Sequence, residues 1–369
     1  MNRENYLKKF HELKFENIKN GLGIGTRINI DLDKNYLKTG NTDYSSNKEI
    51  IDEDNFKELD QEILLETRRI IDNPVIENKI DYMHAALRHI KVLVIEENGE
   101  YIITKKIFGN QYSHLIIHIK ENIKATIYIN TKLGEPKNTG DETSIATEFL
   151  DIIIKDDSDV HLIDLRDYGS EYFIYSRKNA HLSNNSNIYW TNIEGPAKLN
   201  ITELHSMING SNSGSLMNNI VLSRNSEYNI FTRSDHNAKN TKSLMQCRNI
   251  MHNSKAIMRG LVYIHENASN SNGYQKNEML MLDNTSRAIS IPDLEIHNDD
   301  VKCTHGSSIS RPDAEKLFYI QSRGLSNEES EKLLIKGFYE TLLSEVPNGL
   351  KVNVSDEIEH ILYGEGNQI

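Results

Sequence analysis

Cys303 and His305 form a Cys-x-His pair, and on a β-strand residues two apart point to the same face. Thiolate and imidazole both ligate iron and zinc, so the pair could reach one metal ion or one edge of a cluster. Two ligands do not close a site, which takes about four. No Cys-x-x-Cys pair completes this one, and Cys247 is the other thiol of the chain. The alternative is a buried cysteine beside a hydrogen-bonded histidine, because free cysteine is among the most buried side-chain types. His236, His252 and His265 could serve as ligands or bases, although scattered histidines in a β region are more often structural. No Ser-His-Asp order, no His-Glu-x-x-His motif and no paired carboxylates can be picked out. Gly21-Leu22-Gly23-Ile24-Gly25 has the look of a phosphate loop, which must follow a strand and open a helix. Here polar helical sequence precedes it and strand-like alternation follows, so it reads as a turn. Asp52-Glu53-Asp54 reads as a helix start, with carboxylates near the positive end of the dipole.

The elements that would hold these residues fall into three regions. Residues 1–88 read as helical, with Tyr6, Phe10 and Leu13 at helical spacing and a broad apolar face over 54–71. A shorter helix is expected over 81–88 and a polar loop over 40–47. Residues 89–307 change character: short β-rich runs such as 92–95, 115–119, 152–154, 172–175, 220–222 and 260–264 are separated by Asn, Ser, Gly and Asp. Several runs are apolar on both faces, which suits strands that are covered on both sides or stacked in parallel. Without helical crossovers between them, a β-helix is favoured, although no strict period is visible. Residues 308–369 read as helical again. Ser310 is the expected cap of a first helix ending at Gly324, Ser326 and Glu329 suggest a capping box, and the Pro347-Asn348-Gly349 turn is expected to stop the second. A short last helix is expected over 356–362.

Composition bounds the function. The 369 residues are 37% hydrophobic and recurrently aliphatic, which argues for a folded core. A formal net charge of -12 argues against nucleic acid or an anionic membrane as the partner, since both select clustered Lys and Arg. The first residues carry no apolar signal core, and no run approaches the roughly 18 apolar residues of a membrane span, so a cytoplasmic protein is expected.

The run Pro292-Asp293-Leu294-Glu295-Ile296-His297-Asn298-Asp299-Asp300-Val301-Lys302-Cys303-Thr304-His305-Gly306 resembles the hallmark of the SufB/SufD family of iron–sulfur cluster assembly scaffolds. Leu317-Phe318-Tyr319-Ile320-Gln321-Ser322-Arg323-Gly324-Leu325 is similar to that family's next block. Upstream, Ser254-Lys255-Ala256 with Arg259-Gly260-Leu261-Val262, and Gln275 ahead of Met279-Leu280-Met281-Leu282, also fit. The likeness is dense over 236–338 and limited to layout before residue 150. It implies a mainly β fold, a right-handed parallel β-helix flanked by N- and C-terminal α-helical segments. It implies pairing through the β-helix, with a SufB-like subunit or with itself as a homodimer. It implies a C-terminal domain that docks a SufC-type ABC ATPase, for which Leu317, Phe318, Tyr319, Arg323 and Phe338 are the candidate residues. It further implies no turnover of its own and no stably bound cofactor, only a transient iron–sulfur cluster in the complex.

SufB-like chains carry a glutamate directly after the hallmark histidine and a cysteine shortly after the upstream glutamine. Gly306 and Lys276 stand there in this chain, which makes it look SufD-like. His305 matches the histidine that SufD brings to the subunit junction. It is the first candidate for cluster assembly and metal contact, with Cys303 second. The shorter chain and Arg311-Pro312 leave room for a stand-alone paralogue. Two other functions stay open: a β-helix carbohydrate-active enzyme, which needs a groove of clustered carboxylates or a basic residue, and a structural homodimer with no cluster role.

Overall fold

From His89 onward the chain runs strand, corner, strand, corner, and every second strand returns to the same sheet. The computed structural model describes residues 3–12, 18–19, 25–26, 40–133 and 144–364. Strand makes up 51% and helix 24%, in a parallel β-solenoid of about 8 turns with helices at both termini, so the chain is mainly β. Each turn contributes one strand to each of two nine-stranded sheets. Sheet I contains Gly99–Phe108, Lys124–Leu133, Asp159–Asp167, Asn187–Glu194, Gly214–Arg224, Lys242–His252, Ser271–Met281 and Val301–Ser310. Sheet II contains His89–Ile95, Gln111–Ile119, Ser144–Ile154, Tyr172–Leu182, Leu199–Ile208, Glu227–His236, Lys255–Ile264 and Arg287–Ile296.

Parallel stacking explains the strands that are apolar on both faces. Inward side chains line up in columns from turn to turn. One column runs Ile95, Ile119, Ile154, Leu182, Ile208, His236, Ile264 and Ile296. All but the last are buried in the interior; Ile296, on the final turn, is 43% exposed. Outward side chains are covered by helices. α1 (Arg3–Glu12), α2 (Gln61–Asp72) and α3 (Lys79–Leu87) lie on sheet II, where Phe10, Ile80 and Met83 meet Tyr112, Phe173 and Tyr175. α4 (Ala314–Gln321), α5 (Asn327–Glu340) and α6 (Asn348–Tyr363) follow the last turn. α5 and α6 fold back over sheet I, packing Ile335, Tyr339, Val354 and Ile358 against Ile163, Leu165, Ile193 and Ile220. The two helical regions thus cover opposite faces of the solenoid.

Several local expectations change. The polar stretch expected as a loop over 40–47 contains the strand Asn41–Ser46, which pairs antiparallel with Gly99–Phe108. With Ile51–Asp52 on His89–Ile95, it covers the sheet edges at the N-terminal end. The helix expected over 54–71 divides: a 3₁₀ segment Glu53–Glu58 precedes α2, whose N-cap is Asp60, accepting from the Glu62 amide. Ser310 ends a strand and caps nothing; Asp313 is the N-cap of α4, accepting from Glu315 and Lys316. The Ser326–Glu329 capping box is present. The Pro347-Asn348-Gly349 turn, expected to stop the second helix, lies beyond that helix's end at Glu340 and instead starts the last helix, which spans Asn348–Tyr363 rather than 356–362. Of the glycine run, Gly21–Ile24 lies outside the described residues, and Gly25–Thr26 pairs antiparallel with Ile18–Lys19.

Candidate functional site

The last turn builds the candidate site. Val301–Ser310 pairs on one side with Ser271–Met281, placing Cys303 beside Gly273, His305 beside Gln275, Gly306 beside Lys276 and Ser307 beside Asn277. Strand alternation puts Cys303, His305 and Ser307 on the face that looks into the solenoid. Cys303 packs against the interior aliphatic cluster, whereas His305 is exposed at the mouth. The Cys-x-His pair therefore shares a face, as its spacing requires, but its members sit in different environments. Burial pushes the Cys303 thiol up to about 11, so at neutral pH it is a thiol, and binding a metal would have to release its proton to a base or to solvent. His305 makes no hydrogen bond or ion pair among the described residues.

Two glycines shape this mouth. A Cβ on Gly273 would stand 2.5 Å from Val262 Cγ1 and 3.4 Å from Cys303 Sγ, so its absence makes room for the thiol. A Cβ on Gly260 would stand 1.9 Å from Gln275 Oε1. Gln275, the strand neighbour of His305, crosses the interior through that gap and donates from Nε2 to the Asp293 carbonyl at 2.7 Å, leaving a buried Oε1 beside Gly260 with no partner among the described residues. Lys276 and Gly306 lie on the outer side of the same strands, with Lys276 Nζ 2.9 Å from Glu278. No thiolate or carboxylate occupies either position.

Sequence reasoning missed a polar column inside the solenoid. Asp164, Asn192, Asn219, Cys247, Asn277 and Ser307 follow one another in register down sheet I, ending at the same mouth. Lys178 Nζ lies 2.6 Å from Asp164, Asn192 donates to Asn219 at 2.7 Å, and Asn219 donates to Cys247 Sγ at 3.4 Å. Burial opposes ionisation of Asp164, but Lys178, Arg166 and Lys105 hold its carboxyl well below the usual range. Burial raises the Cys247 thiol, which stays protonated. The available signal was one polar residue in alternate β-runs, and it is faint because a residue's turn-mate lies nearly thirty positions away.

The other histidines do not converge on this site. His236 is buried in the core, bound to Thr241 Oγ1 and Ser243 Oγ at 2.7 Å each. His252 and His265 stand at the ends of strands in different sheets. Among the described residues no group of three or more His, Cys, Asp or Glu is arranged to hold a metal ion. Of the expected docking residues, Phe318 and Tyr319 on α4 are 72% and 59% exposed. Arg323 is exposed and donates to the Tyr319 hydroxyl at 2.9 Å. Leu317 is half-buried, and Phe338 is spent on packing α5, with Arg248 5.2 Å from its ring centre. Among the described residues no helix is long and apolar enough to cross a membrane.

Comparison with known proteins gives this geometry a family. The model for the SUF system FeS cluster assembly SufBD core domain matches residues 101–338. An iron-sulfur cluster assembly SufBD family protein of Staphylococcus epidermidis is 26% identical over 224 residues, covering 60% of this chain and 48% of the relative. One of Staphylococcus aureus strain USA300 is 24% identical over 250 residues, covering 67% and 51%. The chain spans about half the length of the curated relatives it matches. The matched segment takes in most of the solenoid, its last turn and α4, and the chain belongs to the SufBD family of iron–sulfur cluster assembly proteins.

Proposed function

We propose that the chain is a SufD-like scaffold subunit, without turnover of its own, that pairs through the open end of its solenoid and docks a SufC-type ABC ATPase on its C-terminal helices. The observation that carries this reading is the uncapped last turn. Antiparallel strands cover the sheet edges at the N-terminal end. At the other end Val301–Ser310 and Arg287–Ile296, ten residues each, have among the described residues a strand neighbour on one side only. Unprotected edges of that length are templates for pairing, and Ile289, Ile296 and Ile309 there are 48%, 43% and 44% exposed.

Cluster chemistry fits the same place. One chain supplies two donors, Cys303 and His305, and a tetrahedral site needs about four. A second subunit, SufB-like or another copy, seated on this edge would bring further donors to His305, the accessible member of the pair. The cluster is cargo, held in transit. Gly306 and Lys276 favour the SufD-like assignment, because this chain has no carboxylate or thiol at those two positions. α4 supports the docking reading: it buries none of its residues and presents Phe318 and Tyr319 to solvent.

The test is purification with the cognate ATPase and a SufB-like chain, followed by anaerobic iron and sulfide reconstitution read by absorbance. The ATPase should co-purify, and His305→Ala should lower cluster yield severalfold while leaving the melting temperature unchanged. No co-purification removes the docking claim, and an unchanged yield removes His305 from the site.

A further inference from the structure

A second cleft, of about 740 Å³, opens on the outer face of sheet II, on the opposite side of that sheet from Cys303 in the solenoid interior. The apolar contacts of the N-terminal helices reach along this sheet only to Leu199 and Ile201. Beyond them the connector between α2 and α3 forms one wall, pinned where Arg177 donates to the Val75 carbonyl at 3.0 Å and to Glu77 at 2.7 Å. Parallel stacking supplies the floor: Asp151, Asn179, His205 and Arg233 stand in register on successive strands, with Phe231 and Arg259 in the adjoining column.

The hydrogen-bond account of this cleft is one-sided. Its carboxylates are all engaged. Asp151 faces His114 Nε2 at 2.7 Å and accepts from Asn179 at 2.9 Å, and burial of Asp151 is outweighed by these bonds and by His181, which hold its carboxyl well below the usual range. Glu203 and Glu77 both receive Arg177. The arginines are half used. Arg233 commits Nε to Asp235 at 2.6 Å and Arg259 commits Nε to Asp293 at 2.7 Å, while their outer nitrogens have no partner among the described residues. Rings brace both groups: Arg259 lies 5.1 Å from the centre of Phe231, and Arg233 lies 5.7 Å from that of Tyr263. Deeper in, His114 is 3% exposed and spends its Nε2 on Asp151, so it helps to close the floor of the cleft. What remains is two braced guanidinium forks beside a cavity of ligand size. A guanidinium fork matches a carboxylate in geometry and charge.

We propose that this cleft binds a ligand with closely spaced carboxylates, either a small polycarboxylate or an acidic peptide segment, held by Arg233 and Arg259. This site is independent of the scaffold reading and would survive its failure.

Calorimetric titration of the full chain with citrate and, separately, with a tetraglutamate peptide tests it, with each variant's melting curve recorded to confirm folding. At least one probe should bind saturably at one per chain. Arg233→Gln and Arg259→Gln should each weaken binding about tenfold or more, the value of a charge-assisted hydrogen bond. Lys255→Gln, which removes an exposed charge elsewhere on sheet II, should leave it unchanged. Citrate alone binding identifies a small molecule as the occupant, and the peptide alone binding identifies a protein segment. The proposal is overturned if neither probe saturates, if folded Arg233→Gln binds as tightly as the parent, or if Lys255→Gln weakens binding equally.

Discussion

His236 occupies a place in an inward column that is otherwise isoleucine and leucine, and its imidazole is held by Thr241 and Ser243. Burial lowers it to about 4, against a weak opposing pull from Asp235. The folded state therefore keeps it neutral while the unfolded chain takes up a proton below about 6.5. Its contribution is complete above that pH and is lost as pH falls toward 4. Between pH 7 and pH 5 this one group should cost about 2 kcal/mol of stability. His118, lowered by burial to about 4, acts in the same direction. Urea midpoints at the two pH values should fall less for His236→Gln than for the parent, and equal falls would refute the assignment. Residue types alone offered His236 as a ligand or base; only its burial in the stack made it structural. Cys303 and His305 were legible as a pair because alternation along one strand is local. The separation of their environments was not, because it depends on Gly273 on the neighbouring strand and Gly260 in the opposite sheet.

At the scale of elements, the corners define the solenoid. Asn185, Asn212, Asn240 and Asn270 each adopt positive φ, from 53° to 61°, at the turn from sheet II to sheet I. Asparagine tolerates that conformation better than other side chains. Each amide also donates to the residue one turn back: Asn270 to Asn240, Asn240 to Asn212, Asn212 to Asn185, and Asn185 to Asp157, at 2.8–3.1 Å. Asn212→Ala loses both the backbone preference and two ladder bonds. It should cost about 2–3 kcal/mol, and Asn212→Gly should cost less because it keeps the backbone freedom; thermal melting orders the three chains. The Asn and Ser between β-runs were visible in the sequence as punctuation. Their period was not, because successive ladder partners are 27, 28 or 30 residues apart, which blurs any fixed repeat. The helix ends show the same division. The Ser326–Glu329 box is a local signature and was readable, while Ser310 lost its expected capping role because strand pairing with Leu280 carries the chain through it.

For the molecule as a whole, the asymmetry of its two ends is the main consequence. One end is sealed by antiparallel strands and the other presents two parallel edges that no described strand covers, so association should depend on the second. Ile289→Lys with Ile309→Lys places charge on both edges, a device that blocks strand addition. Sedimentation should show the variant failing to pair with itself or with a SufB-like chain at concentrations where the parent associates, and unaltered association would move the pairing surface elsewhere. The amino-acid sequence by itself determined the β-rich core between helical segments, the Cys-x-His pairing on one strand face, the α5 capping box and the family likeness. All of these rest on neighbours within a few residues or on contiguous motifs. Only the tertiary structure decided that the two helical regions cover opposite faces, that a polar column crosses the aliphatic interior to the mouth, that Cys303 is tucked inward beneath an exposed His305, and that Arg233 and Arg259 share a cleft with His114. Parallel stacking causes this division: it makes neighbours of residues about one turn apart, so the chemistry of each column is written across the chain and becomes visible once the turns are in register.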